Sequence, residues 1–198
     1  MRGLRTSRGD APLRAVGDTL RCARMERTRR RKVHRRMGFL AALLCGLVLV
    51  TALVPPRARL VWNASASAPV GLYLVAPDSP VRTGDMVIAR LPEAWRAWAA
   101  RRRYLPANVP LVKRIAAGPG ATICARGTAI WQGRVVLALR ERRDGHGRPM
   151  PWWQGCRHLE SGEYFLLMPE AAASFDGRYF GVTRRRDILG RARLLWAR

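Results

Sequence analysis

Lysine is nearly absent from this 198-residue chain, although the chain is strongly basic. It has 37 lysines and arginines against 13 acidic residues, a net charge of +24, yet only Lys32 and Lys113 are lysines. Such a charge favours contact with nucleic acid or an anionic membrane surface. An arginine-rich genome produces the same excess, and no basic stretch is interleaved with aromatic residues as a single-strand binder requires. We therefore expect no nucleic-acid partner.

The sequence also lacks the ligand spacings of a metal site. Its four cysteines include no Cys-x-x-Cys pair, and none of the three histidines lies at zinc-ligand spacing from a cysteine pair. A bound metal is therefore not expected. Cys124 and Cys156 fall in the later part of the chain and are candidates for a disulfide if that part lies outside the cytoplasm.

Only one apolar run has the length of a membrane span. Residues 38–54 carry no charge, and Pro55 and Pro56 follow them as a helix stop. The arginine-rich residues 1–37 come first, and their composition predicts a disordered tail. The positive-inside rule places this tail in the cytoplasm and residues 57–198 in the periplasm of a Gram-negative cell.

Two alternatives concern the same end of the chain. A cleaved signal peptide competes with the membrane anchor, because the sequence A-S-A-S-A that follows resembles a cleavage site. Translation from Met25 or Met37 instead of Met1 would shorten the basic tail.

Short strands separated by turns account for most of residues 57–198, which predicts a mainly β domain. Residues 91–109 have the pattern of a surface helix with loops. Residues 121–160 have the pattern of an insertion made of short strands and turns, and residues 174–181 that of a loop. The predicted strands are Gly71–Ala76, Met86–Arg90, Leu111–Ala117, Glu163–Met168 and Ile188–Ala197.

The stretch Asn63–Tyr73, N-A-S-A-S-A-P-V-G-L-Y, is a candidate site for a nucleophile. Its serines stand among alanines, which leave room for a substrate backbone, and Pro69 stiffens the chain just after Ser67. A polar linker leaving a membrane helix has the same composition, so this stretch does not decide between the two.

Lys113 strengthens the nucleophile hypothesis, because it is the only lysine after residue 32. Arginine is always protonated, whereas a buried lysine can lose its proton and act as a base. In a strand, Lys113 shares a face with Leu111 and Ile115, and this apolar setting disfavours the ammonium. A neutral lysine beside a serine activates it for attack.

Histidine is the more common base, and three are available. His34 lies in the tail, His146 in a glycine-rich loop and His158 in the predicted insertion. None has a suggestive context, but a Ser-His-Asp site with His146 or His158 remains open at this point. The alternative that Lys113 is a lysine without a catalytic role, present by chance at the end of a strand, also remains open.

Three sequence blocks resemble the signal peptidase I superfamily, the S26 serine proteases. They are S-A-P-V-G-L-Y at 67–73, L-V-K-R-I-A-A-G-P-G at 111–120 and S-F-D-G-R-Y-F-G at 174–181, in the family's order. The spacing in the first block, with a serine two residues before the proline, is similar to the conjugative-transfer peptidases of the TraF type. The resemblance implies a mainly β, signal-peptidase-like domain behind a single N-terminal transmembrane helix.

The resemblance also assigns roles to residues. It makes Ser67 the nucleophile, in preference to Ser65, and Lys113 the general base. Asp176 matches a functionally important acid, Ser174 matches a serine that orients the lysine, and Arg178 would pair with Asp176. The backbone N–H of Ser67 is expected in the oxyanion hole. The alternative interpretation of Asp176 and Arg178 is a structural ion pair in a loop.

The function implied by the resemblance is that of an inner-membrane serine endopeptidase. It would process the pilin precursor of a conjugative type IV secretion system, and attack by the substrate's own amino terminus would give a cyclic product. No cofactor is implied. General removal of export signal peptides is one alternative function, and a non-catalytic assembly factor of the secretion apparatus is another.

Overall fold

The computed structural model describes residues 11–53, 59–77 and 79–198, and the chain divides into two units, residues 1–56 and 57–198. The first unit contains one helix, α1, Ala11–Leu53. Within α1, Arg30–Thr51 is long and apolar enough to cross a membrane, by length and composition alone. Pro55 and Pro56, predicted to stop this helix, lie outside the described residues.

The predicted disorder of residues 1–37 is wrong for residues 11–37, which continue the helix, while the first ten residues lie outside the described part. Arginine is a good helix former, and a helix that is already nucleated by the apolar run extends at low cost per residue. The composition of this segment was therefore a poor guide to its backbone structure.

The second unit is mainly β, as predicted, and is built on an antiparallel sheet of seven strands in the order β1-β2-β11-β3-β4-β9-β10. Its C-terminal strand therefore lies between β2 and β3, near the middle. The strands are β1 Leu60–Asn63, β2 Gly71–Ala76, β3 Met86–Ala89, β4 Leu111–Ala117, β9 Glu163–Leu167, β10 Thr183–Arg184 and β11 Ile188–Ala197.

Residues 121–160, predicted as a turn-rich insertion, contain a second antiparallel sheet in the order β7-β6-β5-β8. Its strands are β5 Thr122–Arg126, β6 Ala129–Gln132, β7 Val135–Leu139 and β8 Gly155–His158. A shared apolar core joins the two sheets, with Ile123 and Ile130 packed together with Phe165 and Leu167. Cys124 and Cys156 face each other across β5 and β8, and their sulfur atoms are bonded.

The remaining elements are the helices α2, Glu93–Arg101, and α3, Gly177–Phe180, and a 3-10 turn, Arg185–Asp187. α2 confirms the helix predicted within residues 91–109, and its Trp98 stacks on Phe175. The prediction of a loop throughout 174–181 is wrong, because α3 lies inside it. The Asp176 carboxylate accepts a hydrogen bond from the Arg178 N–H, and this cap starts the short helix.

Candidate active site

Ser67 lies in the loop of a hairpin between β1 and β2. Asn63 and Gly71 are the last paired residues of the two strands, so residues 64–70 form the connection. A Cβ atom on Gly71 would lie 2.0 Å from the carbonyl oxygen of Trp196, and its φ is +156°. Only glycine fits there, since the neighbouring strand β11 approaches the start of β2 so closely.

Lys113 comes to Ser67 from the middle of the same sheet. It lies on β4, opposite Val87 of β3, and its side chain is only 3% exposed. Its Nζ donates hydrogen bonds to Ser67 Oγ at 2.7 Å and to Ser174 Oγ at 2.8 Å. The structure therefore brings together three residues that are separated by 46 and 61 positions in the chain.

Burial lowers the pKa of Lys113 from its ordinary value of 10.5 to about 8. Removal of the ammonium from water is the main cause, and the positive charge of Arg178 acts in the same direction. The negative charge of Asp176 opposes both and raises the pKa. A lysine with such a pKa has a substantial neutral fraction near pH 8, so it can take up a proton there.

Asp176 and Arg178 form a buried ion pair behind this lysine. Arg178 Nε donates to Asp176 Oδ1 at 2.8 Å, and Nη2 donates to Oδ2 at 3.1 Å. The pair holds the chain that leads to Ser174, because Asp176 Oδ2 accepts from the Met168 N–H and Arg178 donates to the Met168 carbonyl. Ser174 itself is nearly fully buried, so its hydroxyl has a fixed position beside Lys113.

Ser65 also contributes to the surroundings of Ser67. Its Oγ lies 3.0 Å from Ser67 Oγ and accepts a hydrogen bond from the Ser67 N–H at 3.3 Å. This N–H is the donor that the sequence predicts for the oxyanion hole. The Ser65 hydroxyl therefore lies beside both the N–H and the hydroxyl of Ser67.

Other predicted candidates lie away from Ser67. In the described part of the chain, the hydrogen bonds of Ser67 Oγ are to Lys113 and Ser65, and none is to a histidine. His158 Nδ1 instead contacts Thr122, and His146 lies in an exposed loop that Asp144 organises. Among the described residues, no group of acidic, histidine and cysteine side chains could hold a metal.

Two further residues contact the loop of Ser67. They are the two ends of the candidate stretch Asn63–Tyr73, but the sequence assigns neither of them a role in the site. Asn63 donates to loop carbonyls, including that of Ala68, and Tyr73 donates through its hydroxyl to Pro69 O at 2.8 Å. An asparagine before a run of small residues was the available signal for Asn63. Tyr73 gave none, since a buried tyrosine in a strand is common in any core.

Comparison of the sequence with known proteins defines the family to which this fold belongs. The chain belongs to the family of signal peptidases, peptidase S26, which it matches over residues 32–197. This confirms the resemblance stated above, and the mainly β fold of the second unit agrees with it.

Within the family, the chain is of the TraF type. It is 32% identical to a probable conjugal transfer protein TraF of Sinorhizobium fredii, over 76% of this chain and 87% of that protein. It is 30% identical to a plasmid transfer protein TraF of Escherichia coli, over 64% of this chain and 77% of the relative. A conjugal transfer protein TraF of Agrobacterium fabrum is 28% identical, over 83% of this chain and 95% of that protein. Among solved structures, a signal peptidase I of Enterococcus faecalis matches 57% of this chain and 97% of its own, with 17% identity and a TM-score of 0.34.

Proposed function

We propose that the chain is a membrane-anchored serine endopeptidase in which Ser67 is the nucleophile and Lys113 the general base. The observation that carries this proposal is the 2.7 Å contact between Lys113 Nζ and Ser67 Oγ in a setting that lowers the lysine pKa to about 8. A nucleophile within hydrogen-bond reach of a base of suitable pKa is the arrangement that serine catalysis requires.

Catalysis begins when Lys113 loses its proton. Its lone pair then accepts the Ser67 hydrogen, while a remaining N–H still donates to Ser174 Oγ and so fixes the orientation of the amine. Ser67 Oγ attacks a peptide carbonyl that follows a small residue, and the Ser67 N–H and Ser65 hydroxyl stabilise the oxyanion. Lys113 then protonates the leaving amine, and water hydrolyses the acyl-enzyme.

The substrate is a pilin precursor of a conjugative type IV secretion system. The names of the relatives support this, because they describe proteins of conjugal and plasmid transfer. The small residues Ala64, Ala66 and Ala68 around Ser67 fit a substrate with small side chains at the cleaved bond. If the precursor's amino terminus replaces water in the second step, the product is a cyclic peptide.

The proposed location is the bacterial inner membrane, with residues 1–37 in the cytoplasm, residues 38–54 as the span and residues 57–198 in the periplasm. The exposed basic residues just before the span favour this orientation by the positive-inside rule. A disulfide between Cys124 and Cys156 is also suited to an oxidising compartment.

The test is to express the cognate pilin precursor with wild type, Ser67→Ala or Lys113→Arg and to weigh the products by mass spectrometry. Trimming by wild type alone supports the dyad, and a product lighter than the linear form by one water indicates cyclisation. Normal processing by both variants would refute the assignment.

An intact precursor with wild type, together with rescue of a strain depleted of its general signal peptidase, would favour general removal of export signal peptides. Conjugation supported equally by Lys113→Arg would favour a non-catalytic assembly role.

A further inference from the structure

The loop that carries Ser67 has little structure of its own. Residues 64–70 contain three alanines, two serines, a proline and a valine, and of these only Ala68 is buried in the apolar core. Between backbone groups of residues 64–70, the one hydrogen bond runs from the Ala68 N–H to Ser65 O at 3.5 Å, which is long. The Ser67 N–H donates to the Ser65 side chain at 3.3 Å. Something outside the loop must therefore define the position of Ser67.

Asn63 makes four hydrogen bonds to this loop. Its Nδ2 donates to Ser65 O at 2.9 Å, to Pro69 O at 3.0 Å and to Ala68 O at 3.1 Å. Its Oδ1 accepts from the Ser65 N–H at 3.1 Å. The amide has two hydrogens for three carbonyl oxygens, so one hydrogen is shared. Asn63 itself is 6% exposed and lies at the end of β1, where pairing with Gly71 fixes its backbone.

These contacts hold the chain on both sides of Ser67. Ser65 is fixed through its N–H and its carbonyl, and Ala68 is fixed through its carbonyl. From outside the loop, Lys113 Nζ also contacts the Ser67 hydroxyl itself. The contacts of Tyr73 Oη with Pro69 O and of the Arg198 N–H with Val70 O reach only the far end of the loop. Asn63 is thus the side chain that positions Ser65, and with it the hydroxyl beside the Ser67 N–H.

We propose that Asn63 is a positioning residue of the proteolytic site, which fixes the Ser67 loop so that nucleophile, base and oxyanion donors are aligned. The inference depends on the proposed function, because it assigns the residue a role in that reaction. Asparagine suits this role because one short side chain presents an acceptor and a double donor. Aspartate of the same shape keeps only the acceptor when ionised, and leucine keeps neither.

The experiment measures kcat and KM of the full-length protein in detergent on an internally quenched peptide with alanines before the scissile bond. For Asn63→Asp and Asn63→Leu we expect kcat to fall about 100-fold, as a small misplacement of reacting groups does, and KM to change little. The pH profile of Asn63→Leu should keep the wild-type midpoint, because burial, Asp176 and Arg178, which shift the pKa of Lys113, are not changed. Asn108→Asp, the same substitution in an exposed loop, is the matched control and should behave as wild type.

Thermal unfolding of each variant separates a positioning role from a structural one. If a folded Asn63 variant keeps kcat within roughly threefold of wild type, the inference is wrong. Loss of the fold in both variants would also overturn it, because Asn63 would then be a residue that stabilises the domain. Ser67→Ala in the same assay tests the proposed function separately, and an active Ser67→Ala variant would refute that function. If Ser67→Ala is inactive and the Asn63 variants are fully active, only the role of Asn63 is rejected.

Discussion

Arg178 and Asp176 form a two-pronged ion pair that is almost fully closed to solvent, with exposed side-chain fractions of 1% and 0%. Beyond Asp176, the guanidinium donates to the carbonyl oxygens of Leu139, Ala172 and Met168. The pair therefore joins the second sheet, through Leu139 of β7, to the segment that ends at Ser174. Its two charges also act in opposite directions on the pKa of Lys113.

Removal of Arg178 should destabilise the domain more than replacement of the whole pair. Arg178→Met leaves the Asp176 carboxylate buried without its partner, which costs about 3–5 kcal/mol in free energy of unfolding. The double variant Arg178→Met with Asp176→Leu has no buried charge left and should recover part of that loss. Urea unfolding of both proteins and of wild type measures the difference. Equal stability of the single and double variants would contradict this account.

Activity should rise with pH through a midpoint of about 8, because Lys113 must be neutral to accept the Ser67 proton. Below this midpoint Lys113 is mainly protonated, so the enzyme loses activity as the pH falls. The measurement is kcat/KM for the quenched peptide between pH 5 and about 10, which reports the free enzyme. A flat profile down to pH 5 would argue against a lysine base.

Asp176→Asn should move that midpoint to lower pH. The Asp176 carboxylate raises the pKa of Lys113 by favouring the ammonium, and its removal leaves burial and Arg178, which both lower the pKa. The midpoint of the kcat/KM profile provides the measurement, taken at a temperature where the variant is folded. Glu160→Gln removes an exposed carboxylate and is the matched control, with no expected shift. An upward or absent shift for Asp176→Asn would show that the carboxylate does not act on the lysine.

Lys113→Met should abolish activity and stabilise the domain at neutral pH. The pKa of Lys113 is about 8 when folded against an ordinary 10.5, so the unfolded chain binds more protons between these values. The titration of Lys113 therefore raises the free energy of unfolding of wild type by about 3 kcal/mol between about pH 8 and 10.5. Below pH 8 this contribution is absent. The variant has no such rise, because methionine does not titrate.

Urea unfolding of wild type and Lys113→Met at pH 7, 9 and 10.5 measures the difference between their stabilities at each pH. The difference should be largest at pH 7 and shrink as the pH increases. A constant difference would mean that Lys113 keeps an ordinary pKa in the folded protein.

The sequence was most informative about residues whose chemistry is unusual for this chain. Lys113 stood out because every other cation after residue 32 is arginine, and the strands Gly71–Ala76, Leu111–Ala117 and Ile188–Ala197 were confirmed with the same bounds. Two further strands, predicted as Met86–Arg90 and Glu163–Met168, each end one residue earlier in the structure.

What the sequence did not predict depends on contacts between distant segments. β1, Leu60–Asn63, was not predicted, and it forms by pairing with β2. The insertion of β11 between β2 and β3 has no local signal either. The role of Asn63 depends on where three loop carbonyls point, which only the folded hairpin determines.

The presence of one exposed and one buried lysine has a practical consequence for spectroscopy. Because the chain contains two lysines, isotope labelling of lysine side chains gives only two side-chain amine signals, one from exposed Lys32 in α1 and one from Lys113. Arginines do not titrate in the accessible pH range, so the abundant basic residues add no background. The protonation state of the proposed base can therefore be followed in the intact wild-type enzyme, without a substrate and without a mutation.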